Sequence, residues 1–548
     1  MMAWHIFKKD LTLLWPIAGL SILAQWGLYG LVFWMDLGPQ AQYLRPLAQL
    51  SVAAVFLALV FAMALDVQQE PFPGTRQDWL IRPIRRWDLL LAKLLFVLLV
   101  VHVPMVVGDV AGMTARGFPF SEAVGAAVQR TLLLFVTLSL PALALAAMTR
   151  TVGQFIAAGI GYFLATAAVI VLLGLLTRLA GQEQVTNPLA WTGVAWITQT
   201  AGRIALAAGS AFALLVLYLR RRIVTARTVF PVFALLSVLT ALLPWNWIFA
   251  LQQVAAAVPA PPPVAVAFEP AAPRYRLAPG ESAAAYAAGA AQVQLRGRAG
   301  GDVPAETQAR AALGGVMIYA PLRITGLPAG DRPWVDRATV KLMTASGQVL
   351  FQGRGDDLKL APGATGPGPL LAYEAIRIPP LAYVWAKDQP VALQIELSLT
   401  VLEPQPAVTA PAFGSPDPIA GLGRCSGVID NDFSDIELRC LTPQAPPSCL
   451  TAALVDPASG RRNPERLTCA PNYAPYATRS FPDSLSRFEV EAPFRDRLGV
   501  GAYPVGEDQV IGARVVVTPL KASAHLVRRI SVPGLRLPAW TAVSGGAS

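Results

Sequence analysis

The sequence predicts a polytopic α-helical membrane domain of about seven transmembrane helices, followed by an extracytoplasmic, mainly β domain of one or two β-sandwich-like modules. Three observations carry this. The 548 residues are 54% hydrophobic and only 14% charged, with a mean hydropathy of +0.49, against about a quarter charged in an ordinary soluble chain. Long apolar runs fill residues 1–251, whereas two-fold alternation between proline- and glycine-rich turns fills the rest. All four cysteines, Cys425, Cys440, Cys449 and Cys469, fall in the second part.

Seven stretches approach the roughly 20 residues needed to cross a hydrocarbon core: 11–35, 47–65, 89–107, 132–148, 155–176, 204–219 and 230–251. The shortest, 204–219, leaves six crossings and a re-entrant piece as an alternative. Basic residues set the orientation. One set of alternate loops receives Lys8, Lys9, Arg76, Arg82, Arg85, Arg86, Arg150, Arg220, Arg221, Arg222 and Arg227. The other receives Arg45, Arg116, Arg130, Arg178 and Arg203. The N-terminus is therefore expected in the cytoplasm and the C-terminal domain outside, in a bacterial inner membrane. The net charge of +10 is concentrated in this half, where residues 1–250 hold 17 Lys and Arg against 9 Asp and Glu. That distribution follows the positive-inside pattern and points away from nucleic acid.

The cysteines agree with the charges. Their even number, clustering and spacings favour two disulfides in an oxidising compartment over zinc, with three connectivities open. The first apolar run lacks a cleavage site after a short hydrophobic region, so it reads as a signal-anchor, and the residues around Trp4 and Phe7 read either as a short interfacial helix or as the ragged start of that crossing.

Within the third crossing, Lys93 is expected to snorkel to the interface. His102 lies deeper, either satisfied by a helix carbonyl or joined to Asp109 in an intramembrane polar site. No metal site stands out. The acidic patch Asp430, Asn431, Asp432 and Asp435 lacks a full calcium-binding loop, and a histidine-dependent hydrolytic triad is disfavoured because His525 is the one histidine of the external half.

Residues 252–273 read as a Pro/Ala-rich linker. Beyond it, 391–401 alternates as a strand with one buried face, and 338–351 reads as a hairpin broken at Ser346-Gly347. Shorter strands are expected at 436–440, 488–490, 514–518 and 526–532. Taking the proline-rich stretch 403–418 as a divide gives one β module at 274–402 and a disulfide-containing module at 420–540.

The cytoplasmic loop 66–88 carries Arg76, Asp78, Trp79, Arg82, Arg85 and Arg86, a mixture suited to protein docking. Together with the N-terminal run Trp4–Pro16, the Asp78-Trp79 and Arg82-Pro83-Ile84 steps, and Leu91-Ala-Lys93, it resembles the membrane subunits of bacterial type 2 ABC exporters over about residues 1–250. The resemblance implies a permease dimer with a second permease subunit, homomeric or heteromeric, and an ATPase subunit dimer that docks on this loop. Six crossings are usual there; a seventh followed by a large external domain is a departure. The sequence has no phosphate-binding G-x-x-x-x-G-K-[ST] loop, so ATP would be bound by the partner, no cofactor is expected on this chain, and the subunit itself is not read as an enzyme. The alternative is a non-transporting membrane scaffold or sensor with a partner-binding β domain.

Overall fold

The computed structural model describes residues 2–541 apart from 36–44, 70–84, 180–194, 241–242, 244, 256–261, 276–315, 361–368, 414–416, 430–434, 445, 464, 470–484 and 494–506. Arg76, Asp78, Trp79, Arg82 and most of the acidic patch lie outside the described residues.

Helix α1 spans Met2–Met35 and α2 Arg45–Gln68. Helix α3 runs from Arg86–Phe96 through a π-helical turn, Val97–His102, into Val103–Ala115. Helix α4 repeats that plan: Phe120–Leu134, a π turn at Phe135–Ser139, then Leu140–Met148. Then follow α5 (Val152–Leu179), α6 (Ala195–Leu215, with a π turn at Val216–Arg220), α7 (Ile223–Leu239) and α8 (Trp245–Ala255). Among the described residues, six helices are long and apolar enough to cross a membrane, and α7 is a shorter apolar helix.

Several sequence expectations are corrected here. The fourth helix begins at Phe120, so Arg130 sits inside it and is 4% exposed, not in a loop. Its first turns carry Ala123, Ala126 and Ala127 on a packed face, which a search for long apolar runs passes over because Glu122, Gln129 and Arg130 interrupt the run. The last stretch, 230–251, is two helices: Pro244 cannot supply an i→i−4 hydrogen bond inside such a span, and Trp245, Ile248 and Phe249 of α8 are buried beside Val527 of the β domain and Ile197 of α6. No separate interfacial helix precedes the first crossing, because α1 is continuous from Met2.

Contacts between helix ends sort the bundle into two poles. Lys93 near the start of α3 meets Asp10 near the start of α1 and Asp66 near the end of α2. Arg227, early in α7, donates to the carbonyl of Met148 at the end of α4. At the other pole Thr240, just past α7, donates to the carbonyl of Thr198 early in α6, and the turn between α3 and α4 meets the β domain, where Arg424 Nη1 donates to the carbonyl of Arg116 at 2.5 Å. The N-terminus of α1 and the β domain therefore occupy opposite poles, and the short α7 has one end at each of them.

The β domain contains β1 (Ala265–Phe268), β2 (Val316–Thr325), β3 (Arg332–Thr344), β4 (Val349–Leu360), β5 (Leu370–Ile378), the short helix α9 (Pro380–Ala386), β6 (Val391–Pro404) and β7 (Val408–Pro411). Then come β8 (Asp417–Ile419), β9 (Gly423–Ile429), β10 (Asp435–Thr442), β11 (Cys449–Val455), β12 (Arg466–Cys469), β13 (Ser486–Pro493) and β14 (Arg514–Leu535). Among the described residues the larger sheet has the order β1-β2-β5-β4-β3-β6-β14-β11-β12, with β7 also on β14, and the smaller is β13-β10-β9-β8; all pairings are antiparallel. The expected 338–351 hairpin is β3–β4, turned at Gly347, whose φ of +84° costs a glycine little.

The proposed divide at 403–418 does not separate two sheets. Strands 514–518 and 526–532, expected apart, are one continuous strand, β14. Its first half pairs with β7 and β11 and faces a core with Ile436, Leu438, Phe488 and Val490; its second half pairs with β6 and faces a core with Ile318, Leu393 and Ile395. A register shift between Ala522 and Ala524 marks the change of face. The two disulfides are Cys425–Cys440 and Cys449–Cys469, each joining residues directly opposite one another, on β9/β10 and β11/β12. Neighbouring cysteines in the chain thus pair, which settles the connectivity that spacing left open.

Candidate functional site

Helix α3 presents three polar side chains to the bundle interior: Lys93, His102 and Asp109. Sixteen residues separate the first from the last, about 24 Å of helix, so they mark most of the depth of a hydrocarbon core. Each is 2% exposed or less, and each meets a partner from a different helix.

At the N-terminal pole, Lys93 Nζ donates to Asp10 Oδ2 at 2.7 Å and to the Asp66 backbone carbonyl at 2.7 Å, with Asp66 Oδ1 at 3.4 Å. Lys93 therefore does not snorkel. Its reach toward the interface ends on two fully buried carboxylates, which offer the ammonium more than competing water would. Lys9 Nζ lies 3.5 Å from Asp10 Oδ1, so a second, half-exposed cation borders the cluster. Two of the three helices joined here, α2 and α3, are consecutive in the chain and linked through residues 69–85. At the far end of that link Arg85 is exposed, Trp87 is exposed, and Arg86 opens α3.

At mid-depth His102 Nε2 lies 3.0 Å from Ser139 Oγ, and the imidazole stands edge-on to Phe135 at 5.7 Å. Both residues belong to π-helical turns, and each turn is followed two residues later by a proline, Pro104 or Pro141. A proline lacks its N–H and its ring crowds the carbonyl one turn back, so a locally widened helix accommodates it. The His102–Ser139 contact joins the two widened turns. The partner of His102 Nε2 is thus a serine hydroxyl, not a helix carbonyl, and Nδ1 is buried without a hydrogen bond among the described residues.

At the β-domain pole Arg130 Nη1 meets both Asp109 carboxylate oxygens, at 2.6 and 2.5 Å, and donates to Tyr29 Oη at 2.8 Å. Tyr29 passes its own proton to the Met105 carbonyl at 3.2 Å. Gly108 makes this possible, because a Cβ there would lie 2.6 Å from the Tyr29 ring. The expected polar track between His102 and Asp109 is not one site: each residue closes its own pair with α4. Arg130, Asp10, Asp66, Tyr29 and Ser139 were not singled out from sequence, although Asp10, Asp66 and Lys93 share one depth once the crossings alternate.

Among the described residues no group of three or more His, Cys, Asp or Glu side chains is placed to hold a metal. Comparison with family models, with curated proteins and with solved structures gives no match.

Proposed function

We propose that this chain is the pathway-forming permease subunit of an ATP-driven ABC exporter. It would act with a second permease subunit, and a separate ATPase dimer would dock on the cytoplasmic loop 66–88. The observation that best supports this reading is the Asp10–Lys93–Asp66 cluster. It ties the end of α2 and the start of α3, the two roots of that loop, to the start of α1. A displacement of the loop by an ATPase would therefore move three helices together, because separating any of them strands a buried charge at a cost of about 3–5 kcal/mol. The exposed Arg85 and Trp87 and the basic loops expected on the same face suit a partner with an acidic groove. With the N-terminus in the cytoplasm, the disulfide-bearing β domain would lie outside the cytoplasmic membrane, a compartment that suits its two disulfides.

The test is co-purification of the tagged chain with a phosphate-loop ATPase, repeated with Trp79→Ala/Arg82→Ala. The double variant is expected to insert normally, to lose ATPase binding by about 2 kcal/mol or more per side chain, and to lose ATP-dependent export. Normal ATPase binding by the variant would remove the coupling role from the loop. No ATPase on the unmodified chain would transfer the reading to a membrane scaffold or sensor.

A further inference from the structure

The β domain sits on the bundle through α8, and one chain of side-chain hydrogen bonds runs through that joint. Trp196, at the head of α6, lies 2.7 Å from Gln252 Oε1; Gln252 Nε2 lies 2.9 Å from His525 Nε2; His525 Nδ1 lies 2.8 Å from Thr400 Oγ1; and Thr400 Oγ1 lies 2.5 Å from Asp336 Oδ2. Gln253 donates separately to the His525 carbonyl at 3.1 Å, and Phe249 packs edge-on against the imidazole.

The direction of every bond is fixed from one end. An indole N–H can only donate, so Gln252 must present its oxygen to Trp196 and its NH2 to His525. His525 Nε2 must then accept, which places the imidazole proton on Nδ1, from where it is donated to Thr400. Thr400 passes its own hydroxyl proton to Asp336. A proton added to Nε2 would face the Gln252 NH2 donor, and turning the amide round would set that NH2 against the indole N–H. The least costly arrangement for an imidazolium gives up the exposed Trp196–Gln252 bond, which ties α6 to the joint.

We propose that His525 is an acid-release latch: in its neutral form it holds the β domain on α8 and α6, and its protonation lets that contact open.

The charged surroundings are few. Helix α6 offers Trp196, α8 offers Gln252, Gln253 and Phe249, and β6 offers Thr400, none of them titratable near neutrality. Strand β3 brings Asp336 and Arg337, the latter with its guanidinium over the Trp245 ring at 5.6 Å, and Arg529 of β14 is paired with Glu396. Burial holds His525 below its ordinary 6.5. The joint therefore keeps its full imidazole contribution above that pH and loses it as pH falls from 6.5 toward the lowered value. Asp336 opposes this. Burial pushes its carboxyl up to about 7, against a smaller downward pull from the Thr400 hydroxyl. Proton uptake there favours the closed joint as pH falls through 7.

Amide hydrogen exchange of α8 in the full-length protein, corrected for intrinsic rates and followed from pH 7.5 to 5, separates the two groups. In Asp336→Asn, which removes the opposing carboxyl, protection of α8 should fall at least tenfold on acidification; in Asp336→Asn/His525→Gln it should not change. Gln252→Glu offers Nε2 an acceptor while still accepting from Trp196, so against the unmodified protein its protection should rise on acidification. That comparison stands even where Asp336→Asn does not fold. Flat protection in Asp336→Asn, an undiminished fall after His525→Gln, or a Gln252→Glu profile parallel to the unmodified one would each overturn the latch.

Discussion

The two charged clusters at opposite ends of α3 solve the same problem differently. At the β-domain pole one arginine faces one carboxylate, with a tyrosine taking a further N–H of the guanidinium, and charge balances within two neighbouring helices. At the N-terminal pole one lysine faces two carboxylates from two other helices, with Lys9 outside. The first is a self-contained pair that fixes how α3 lies on α4. The second holds together only while three helices keep their positions, and it lies beside the loop read as the docking element. A balanced pair gives a fixed point; an excess of buried negative charge gives a place where movement, or a new cation, changes the energy most.

The largest expected effect comes from Lys93→Met, which leaves two fully buried carboxylates facing each other. It should destabilise the bundle by about 5 kcal/mol, read as a drop in unfolding temperature in detergent. Adding Asp66→Asn should recover only part of the loss, because Asp10 stays buried with Lys9 alone. Full recovery would reduce the cluster to a simple pair and break the contrast. Arg130→Leu should cost about 3–5 kcal/mol, while Asp109→Leu/Arg130→Leu should return to within about 1 kcal/mol of the unmodified protein. A double variant no better than Arg130→Leu alone would mean that Tyr29, and not Asp109, carries the fixed point. Gly108→Ala should cost about 1–3 kcal/mol by driving Tyr29 from its seat, and Tyr29→Ala in the same chain should relieve the clash. The smallest effect is expected from Ser139→Ala, about 1–2 kcal/mol for leaving His102 Nε2 without its hydroxyl, with both charged ends intact. A larger loss than Gly108→Ala would move the organising centre of α3 to mid-depth.

Much of this architecture was legible in the sequence, for reasons that also explain the gaps. Apolar runs locate helices because lipid forces length and composition together; alternation locates β6, although its residues 397–402 are buried on both faces, and the Ser346-Gly347 break locates the β3–β4 hairpin. Cysteine spacing gave disulfides but not their pairing, which depends on which strands lie side by side. Arg130 reads as a loop residue in the sequence because a charge looks like an interface until its partner is known, and Asp109 is 21 residues away on another helix. The same reasoning sent Lys93 to the surface. Local sequence carries a residue's cost of burial; only the packed bundle carries what offsets it.

Strand β14 follows all the other described strands in the chain and supplies one wall to each of the two β cores. Its partners on β6 lie more than a hundred residues upstream, as Leu526 against Leu399 illustrates. Neither core can close until this last strand arrives, so assembly of the domain is dominated by long-range pairing and should be slow. If the chain is exported as it is made, the earlier strands wait with an open edge while the remainder follows. The Cys425–Cys440 and Cys449–Cys469 bridges both lie upstream of β14, and can lock their hairpins during that wait. The disulfides would then serve first as temporary clamps on an unfinished domain, before they become part of a finished one.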